Sequence, residues 1–171
     1  AGPEIHLLNL SCYTNLEPKK YYDSAIAKLK NAPVLPYVLS GINGLHMAKR
    51  DENCSKLSLQ DIRQLIFAVI EGNPRRLKDV NLRMLLAQNY YIGDEYAKSM
   101  QEFNAAISFG GGSDAIKEKF VTQIMAKKYS DAEKTINELE EYALKTGENL
   151  NIVSGWMKDI LVKEKTNTDS K

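Results

Sequence analysis

The residues in this chain that could do chemistry are few and scattered. A glycine run at residues 110–112 is followed by Ser113 and Lys117, and a helix beginning there could bind an anion through its free backbone N–H groups. The GxxxxGK[ST] spacing of a phosphate-binding loop is absent, and no strand pattern precedes the glycines. We therefore interpret the run as a stop between two helices.

Nucleophile and acid–base candidates are equally sparse. His46 and Cys54 could form a nucleophile and its base, but such a pair also needs an orienting group and a cleft. Glu138, Glu140 and Glu141 are more typical of a solvated helix face with i, i+4 ion pairs. The chain has two His and two Cys residues, which do not favour a zinc cluster. The sequence thus indicates no catalytic residue, no metal and no cofactor, and we expect the protein not to be an enzyme.

The two cysteines, Cys12 and Cys54, leave two interpretations open. They are either unpaired thiols or one disulfide that ties the N-terminal segment to the region around Asn53. A disulfide would require an oxidising compartment. The sequence is compatible with a cytoplasmic protein, or with a periplasmic or secreted one if the cysteines are bridged.

Composition is that of a globular protein. Hydrophobic residues make up 43% and charged residues 26% of the 171 residues, and the formal net charge is +1. One domain of this length can bury a core. The balanced charge argues against a nucleic-acid partner. No apolar run approaches the roughly 20 residues that span a bilayer, so no transmembrane segment is predicted.

Hydrophobic periodicity and stop signals predict a succession of helices. The predicted helices cover residues 19–31, 36–50, 59–71, 79–92, 95–107, 113–125, 130–145 and 149–162. Gly41 and Gly44 disfavour a single regular helix over 36–50. Residues 4–10 could form a short strand instead of a helix. The polar residues 163–171 are predicted to be a flexible tail.

Side-chain caps should mark several helix starts. Ser58 with Asp61 predicts an N-cap, and Ser113 could cap the helix after the glycine run. Ser130 and Glu133 form the pattern of a capping box.

An internal repeat lies in the second half of the chain. Three pairs of residues recur at a separation of 33 positions, close to the ~34-residue period of tetratricopeptide repeats. The pairs are Tyr96 with Tyr129, Ser99 with Ala132, and Phe103 with Ile136.

The stretch LLAQNYYIGDEYAKSMQEFNAA, residues 85–106, resembles a tetratricopeptide repeat. The family's order of large, small and aromatic residues is present at Leu86, Ala87, Tyr90, Tyr96, Ser99, Phe103 and Ala106. A second window matches in its second helix through Tyr129, Ala132 and Ile136, but its first helix departs from the pattern at Lys119, Phe120 and Gln123. The closing proline is absent from both windows. The resemblance covers about residues 80–144.

This resemblance implies an all-α fold, in which antiparallel helix hairpins pack as a short right-handed solenoid with flanking capping helices. We expect one helical domain over residues 1–171. Within it, residues 1–78 form N-terminal helices, 79–146 the tetratricopeptide-like pairs and 149–162 a C-terminal capping helix.

In this family the first helices of successive repeats line a groove that holds a peptide or a helix of a partner. The resemblance places eight residues there: Asn81, Met84, Gln88, Tyr91, Asp114, Lys117, Val121 and Ile124. The alternative is that these residues pack against flanking helices and the groove is filled.

Three functional hypotheses follow. The first is an adaptor, assembly factor or chaperone-like subunit that binds another protein, with homo-oligomerisation left open. The second is a secreted or periplasmic helical virulence or envelope factor with a Cys12–Cys54 disulfide. The third is a small helical enzyme.

Overall fold

The computed structural model describes residues 3–11, 16–31, 35–51 and 57–169. Across these ranges the chain is helical and contains no strand, so the all-α prediction is confirmed there. The helices are α1 (Pro3–Ser11), α2 (Pro18–Leu29), α3 (Leu35–Arg50), α4 (Leu59–Glu71), α5 (Val80–Ile92), α6 (Tyr96–Ser108), α7 (Gly112–Met125), α8 (Tyr129–Thr146) and α9 (Asn151–Asp169), with a short 3₁₀ helix at Pro74–Lys78. The segment that could have been a strand is α1.

Helix α4 begins and ends where the sequence predicts. The Asp61 backbone N–H donates to Ser58 Oγ at 3.0 Å, and the Ser58 N–H donates to Asp61 Oδ2 at 3.2 Å. The two bonds complete a capping box that satisfies otherwise unpaired N–H groups. The helix stops at Gly72, as predicted.

Two other predicted caps are wrong. Ser113 lies inside α7, which begins at Gly112. Ser130 lies inside α8, which begins at Tyr129, and neither helix start carries a side-chain cap among the described residues. The reason at α8 is a tight turn: Lys127 adopts a φ of 57°, and the Lys128 N–H donates to the Gln123 carbonyl at 2.8 Å. The backbone turn thus starts the helix at Tyr129, so Ser130 does not occupy the N-cap position.

The same turn occurs 33 positions earlier. Asp94 has a φ of 59°, and the Glu95 N–H donates to the Tyr90 carbonyl at 2.9 Å. Left-handed backbone is uncommon for residues other than glycine. Its recurrence at Asp94 and Lys127 shows that the internal repeat extends from residue types to backbone conformation.

Helix α9 is longer than the predicted 149–162. It continues to Asp169, because its C-terminal half is bonded to α8. Thr168 Oγ1 lies 3.1 Å from the Tyr129 hydroxyl, and Lys165 Nζ lies 3.3 Å from Glu133 Oε2. The polar residues after Val162 are therefore helical up to Asp169.

The buried side chains form two clusters. One joins α1 to α5 and the other joins α7 to α9. Between them, α5, α6 and α7 pack in chain order through small, fully buried residues: Ala87, Ser99, Ala106 and Ala115. Small side chains allow the helix backbones to approach closely, which joins the two halves.

A close contact with another helix explains the two glycines of α3. A β-carbon at Gly41 would collide with the Ile5 side chain, and one at Gly44 would collide with that of Asn9. Helix α1 therefore packs closely on α3. This contact compensates for the low helix propensity of glycine, and α3 is a single helix.

Replacing Gly72 by alanine should test how closely the ends of α2 and α4 meet. A β-carbon there would overlap the Lys30 carbonyl, and backbone cannot move as a side-chain tip can. We expect Gly72→Ala to lower the free energy of unfolding by at least about 2 kcal/mol, measured by urea denaturation.

The matched control is Gly155→Ala in α9. Apart from its chain neighbours and the nearby backbone of its own helix, no described atom lies within 4 Å of a β-carbon placed at Gly155, so the change should stabilise the helix by about 0.5–1 kcal/mol. Equal effects of the two substitutions would contradict the close packing at Gly72.

Candidate functional site

A groove runs along one face of the molecule, with α5 as its floor and α3 and α7 as its walls. At one end a cavity of about 390 Å³ is lined by Asn43 of α3, Asn81 and Gln88 of α5 and Asp114 of α7, among others. Next to it, a cavity of about 280 Å³ is again lined by Asn43 and Gln88. The shared residues make the two cavities adjoin.

A third cavity of about 310 Å³ continues the groove at the C-terminal ends of α3 and α5. It shares Arg50, Tyr91 and Ile92 with the second. We call these first, second and third cavities together the α3–α5–α7 groove. It follows the 13 residues of α5, a length of about 20 Å at 1.5 Å per residue.

The structure brings most of the predicted groove residues together. Those lining at least one of the three cavities are Asn81, Met84, Gln88, Tyr91, Asp114 and Val121. Lys117 and Ile124 line none of the three. Lys117 forms an ion pair with Asp114 at 2.9 Å, and Ile124 packs against the α7–α9 core.

Sequence reasoning missed the α3 wall. Asn43, His46, Met47 and Arg50 all line the second cavity. Their i, i+3, i+4, i+7 spacing places them on one helix face, and this spacing was a signal available in the sequence. It went unused because the family resemblance begins only at about residue 80.

The buried side chain of Asn89 fixes α3 against α5. Its Nδ2 group donates to the Leu59 carbonyl at 2.9 Å and to His46 Nε2 at 3.1 Å. Its Oδ1 accepts from Arg63 Nε at 2.9 Å, and Arg63 Nη2 reaches Glu95 Oε2 at 3.0 Å. One amide thus links α3, α4 and α5, at the point where the groove has its second cavity.

This network also assigns the proton on His46. Arg63 can only donate, so the oxygen of Asn89 faces it and the nitrogen faces His46. Nε2 of His46 therefore accepts, and in the neutral ring the hydrogen is on Nδ1. His46 is only 2% exposed, and its Nδ1 has no hydrogen-bond partner among the described residues.

Charged groups stand on both walls of the second cavity, Arg50 on α3 and Glu118 on α7. Loss of solvation raises the pKa of Glu118, opposed by the positive charges of Lys117 and Arg50. Loss of solvation also raises the pKa of Tyr91. Both side chains therefore lie in a part of the groove from which water is partly excluded.

A separate cavity of about 340 Å³ lies at the turn between α8 and α9. Ser154 Oγ donates to Glu140 Oε1 at 2.6 Å, and Lys158 pairs with the same carboxylate. The Lys158 hydrogen bond lowers the pKa of Glu140, so this carboxylate is a poor base for the serine hydroxyl. The arrangement ties α9 to α8.

The cysteine hypotheses concern residues outside the described ranges. Cys12 and Cys54 are not among the residues that the structure describes, so both interpretations of the cysteines, unpaired thiols or one disulfide, stay open. None of the helices in the described ranges combines the length with the hydrophobicity that spanning a bilayer requires.

Comparison of the chain with protein-family models, curated protein sequences and solved structures finds no match.

The buried His46 should make folding depend on pH. Burial lowers the pKa of His46 from 6.5 to about 4. As the pH falls through this range, the unfolded chain binds the proton first, so the contribution of His46 to stability is lost between about pH 6.5 and 4. At pH 5 the loss should be roughly 2 kcal/mol.

The measurement is urea unfolding of the native protein and of His46→Gln at pH 7.5 and pH 5. Carboxylates contribute equally to both proteins and cancel in the comparison. The native protein should lose more stability than the variant between the two pH values. Equal losses of unfolding free energy in the native protein and the variant would show that His46 is protonated equally in the folded and unfolded states.

Proposed function

We propose that this protein is a protein-interaction module, which binds a peptide or helical segment of a partner protein in the α3–α5–α7 groove. The observation that carries the proposal is the continuity of the three cavities along α5. A groove of about 20 Å is long enough for one helix of about 13 residues or an extended segment of about six.

The groove residues suit recognition of another protein. Met47 is 48% exposed and Met125 50% exposed, and Met84, Tyr91 and Val121 supply further apolar surface. Methionine and tyrosine adapt to varied apolar partners. Arg50 and the polar residues at the rim can then orient the bound segment.

The helix order supports the solenoid as part of this proposal. We interpret α3–α4, α5–α6 and α7–α8 as successive hairpins, with α9 as the cap. The equivalent turns at Asp94 and Lys127 support the last two pairs. A right-handed stack of these pairs would place α3, α5 and α7 side by side, in keeping with the contribution of all three helices to the lining of the second cavity.

Site-specific photocrosslinking tests the proposal. A benzophenone amino acid replaces Met47 or Tyr91 in the groove, or Leu144, which is 85% exposed on α8 and lies outside it. After irradiation in a lysate of the source organism, we expect a partner protein to be captured from positions 47 and 91 but not from 144. Mass spectrometry identifies the crosslinked segment.

The purified partner then permits an affinity measurement. The double variant Tyr91→Ala, Gln88→Ala should bind at least about tenfold more weakly than the native chain, as at interface hot spots. Tyr37→Ala, Gln101→Ala is the matched control, because neither residue lines the groove. Capture from position 144 alone, with equal affinities, would place the binding surface on α8 and α9.

A further inference from the structure

The connections α4–α5, α6–α7 and α8–α9 lie along one edge of the molecule. Val80 at the start of α5 and Gly111 just before α7 line the same cavity, so the first two connections are neighbours. A β-carbon on Gly112 would lie 3.0 Å from the Tyr142 hydroxyl, which donates to Glu148 Oε1 at 2.9 Å. The α8–α9 connection is therefore next in line. We call this side of the molecule the connection edge, which comprises residues 72–79, 109–111 and 141–152.

Each part of the connection edge exposes a large apolar side chain. Leu77 is exposed in the first connection and Phe109 in the second. At the third, Leu144 is 85% exposed and Ile152 is 88% exposed. Large apolar side chains that are exposed together mark surfaces that bind another molecule. The connection edge is thus a candidate interaction surface, separate from the α3–α5–α7 groove.

The two ends of the connection edge carry opposite charge. At the α4–α5 end, Arg75 and Lys78 are exposed and form no ion pair with any described residue. At the α8–α9 end, Glu141 and Glu148 are exposed and equally without an ion pair. Lys145 offsets one of these two negative charges. The edge is therefore basic at one end and acidic at the other.

The basic segment Pro74–Lys78 is held in a fixed conformation. Arg83 Nε and Nη2 donate to the Leu77 carbonyl at 2.8 and 2.7 Å. Arg76 Nη1 donates to the Val69 carbonyl at 2.9 Å. Because these bonds already order the turn, docking it on another surface costs little conformational entropy.

The α8–α9 turn offers a recess that matches this segment. Leu144 and Leu150 form apolar walls of the cavity of about 340 Å³, and Glu148 supplies a carboxylate. Oε2 of Glu148 has no partner among the described residues, whereas the Glu140 carboxylate already pairs with Lys158. A lysine or arginine suits such a recess, since its stem packs on apolar walls while its charge meets the carboxylate.

A second copy of the chain can satisfy both ends at once. Because both charged ends lie on one edge, a two-fold axis through the α6–α7 connection sets each basic segment opposite the acidic turn of the other copy. Reciprocal contacts of this kind characterise two-fold dimers, the commonest closed assemblies. Beyond the proposed function, we propose that two copies of this chain dimerise along the connection edge, with Pro74–Lys78 of each copy docked on the α8–α9 turn of the other.

Charge reversal at either end tests the dimer by sedimentation equilibrium. Arg75→Glu with Lys78→Glu should weaken dimerisation at least about tenfold, and so should Glu141→Lys with Glu148→Lys, because each places like charges opposite one another. The quadruple variant should dimerise again, since its charges are exchanged between the two ends.

Two further variants control for net charge. Lys127→Glu with Lys128→Glu changes the net charge as much as the reversal of the basic segment does, but it lies in the α7–α8 turn at the opposite edge. It should leave dimerisation unchanged. Lys145→Gln should strengthen dimerisation roughly twofold, because it removes a cation that repels the basic segment. Circular dichroism confirms that each variant is folded.

Crosslinking maps the contact in the native sequence context. With a benzophenone amino acid at position 144 of the purified chain, irradiation should join that position to residues 74–78 of a second copy. A mixture of nitrogen-15-labelled and unlabelled chains shows whether the link is between copies. The product has the mass of two chains, which distinguishes it from a partner protein captured in a lysate.

Three results would overturn the proposal. The first is a native chain that stays monomeric at about 1 mM. The second is a dimer that survives both charge reversals, or one that the quadruple variant does not restore. The third is a crosslink from position 144 to a part of the second copy other than residues 74–78, which would place the contact between copies on another surface.

Discussion

The hydrogen bonds of one buried side-chain amide fix the position of the helix that forms one wall of the groove. Asn89 is fully buried, so each of its polar atoms needs a partner inside the protein. It finds them in the Leu59 carbonyl, the His46 ring and the Arg63 guanidinium. Because these partners belong to α3 and α4, the amide sets how both helices sit against α5. The α3 wall of the groove depends on this network.

Close packing carries that arrangement to the rest of the chain. Helices α5, α6 and α7 meet through Ala87, Ser99, Ala106 and Ala115, and Ser99 Oγ donates to the Ala87 carbonyl at 2.8 Å. Larger residues here would push the three helices apart, because the interior is closely packed. The two hydrophobic clusters lie on either side of these three helices, and the close contacts between the helices join them.

Local signals in the sequence predicted the helices well, because hydrophobic period and stop residues act within one element. The α4 capping box and the stop at Gly72 are examples. Contacts between distant residues were not predictable in this way. Gly41 and Gly44 weaken α3 locally but allow α1 to pack on it. Ser130 fails as a cap for a local reason, because the left-handed backbone at Lys127 sets the start of α8. The groove residues of α5 and α7 were predicted from a family pattern. Those of α3 were missed, because α3 joins the groove through a long-range contact with α5.

Hydrogen–deuterium exchange of Asn89→Leu tests most directly whether this amide fixes the α3 wall. We predict that backbone amides of α3 and of the first turns of α4 exchange at least about tenfold faster than in the native chain, while those of α7, α8 and α9 keep their rates. Asn104→Leu, an exposed change on α6, should leave every helix as it was. Unchanged exchange in α3, or a uniform acceleration over all helices, would contradict the account.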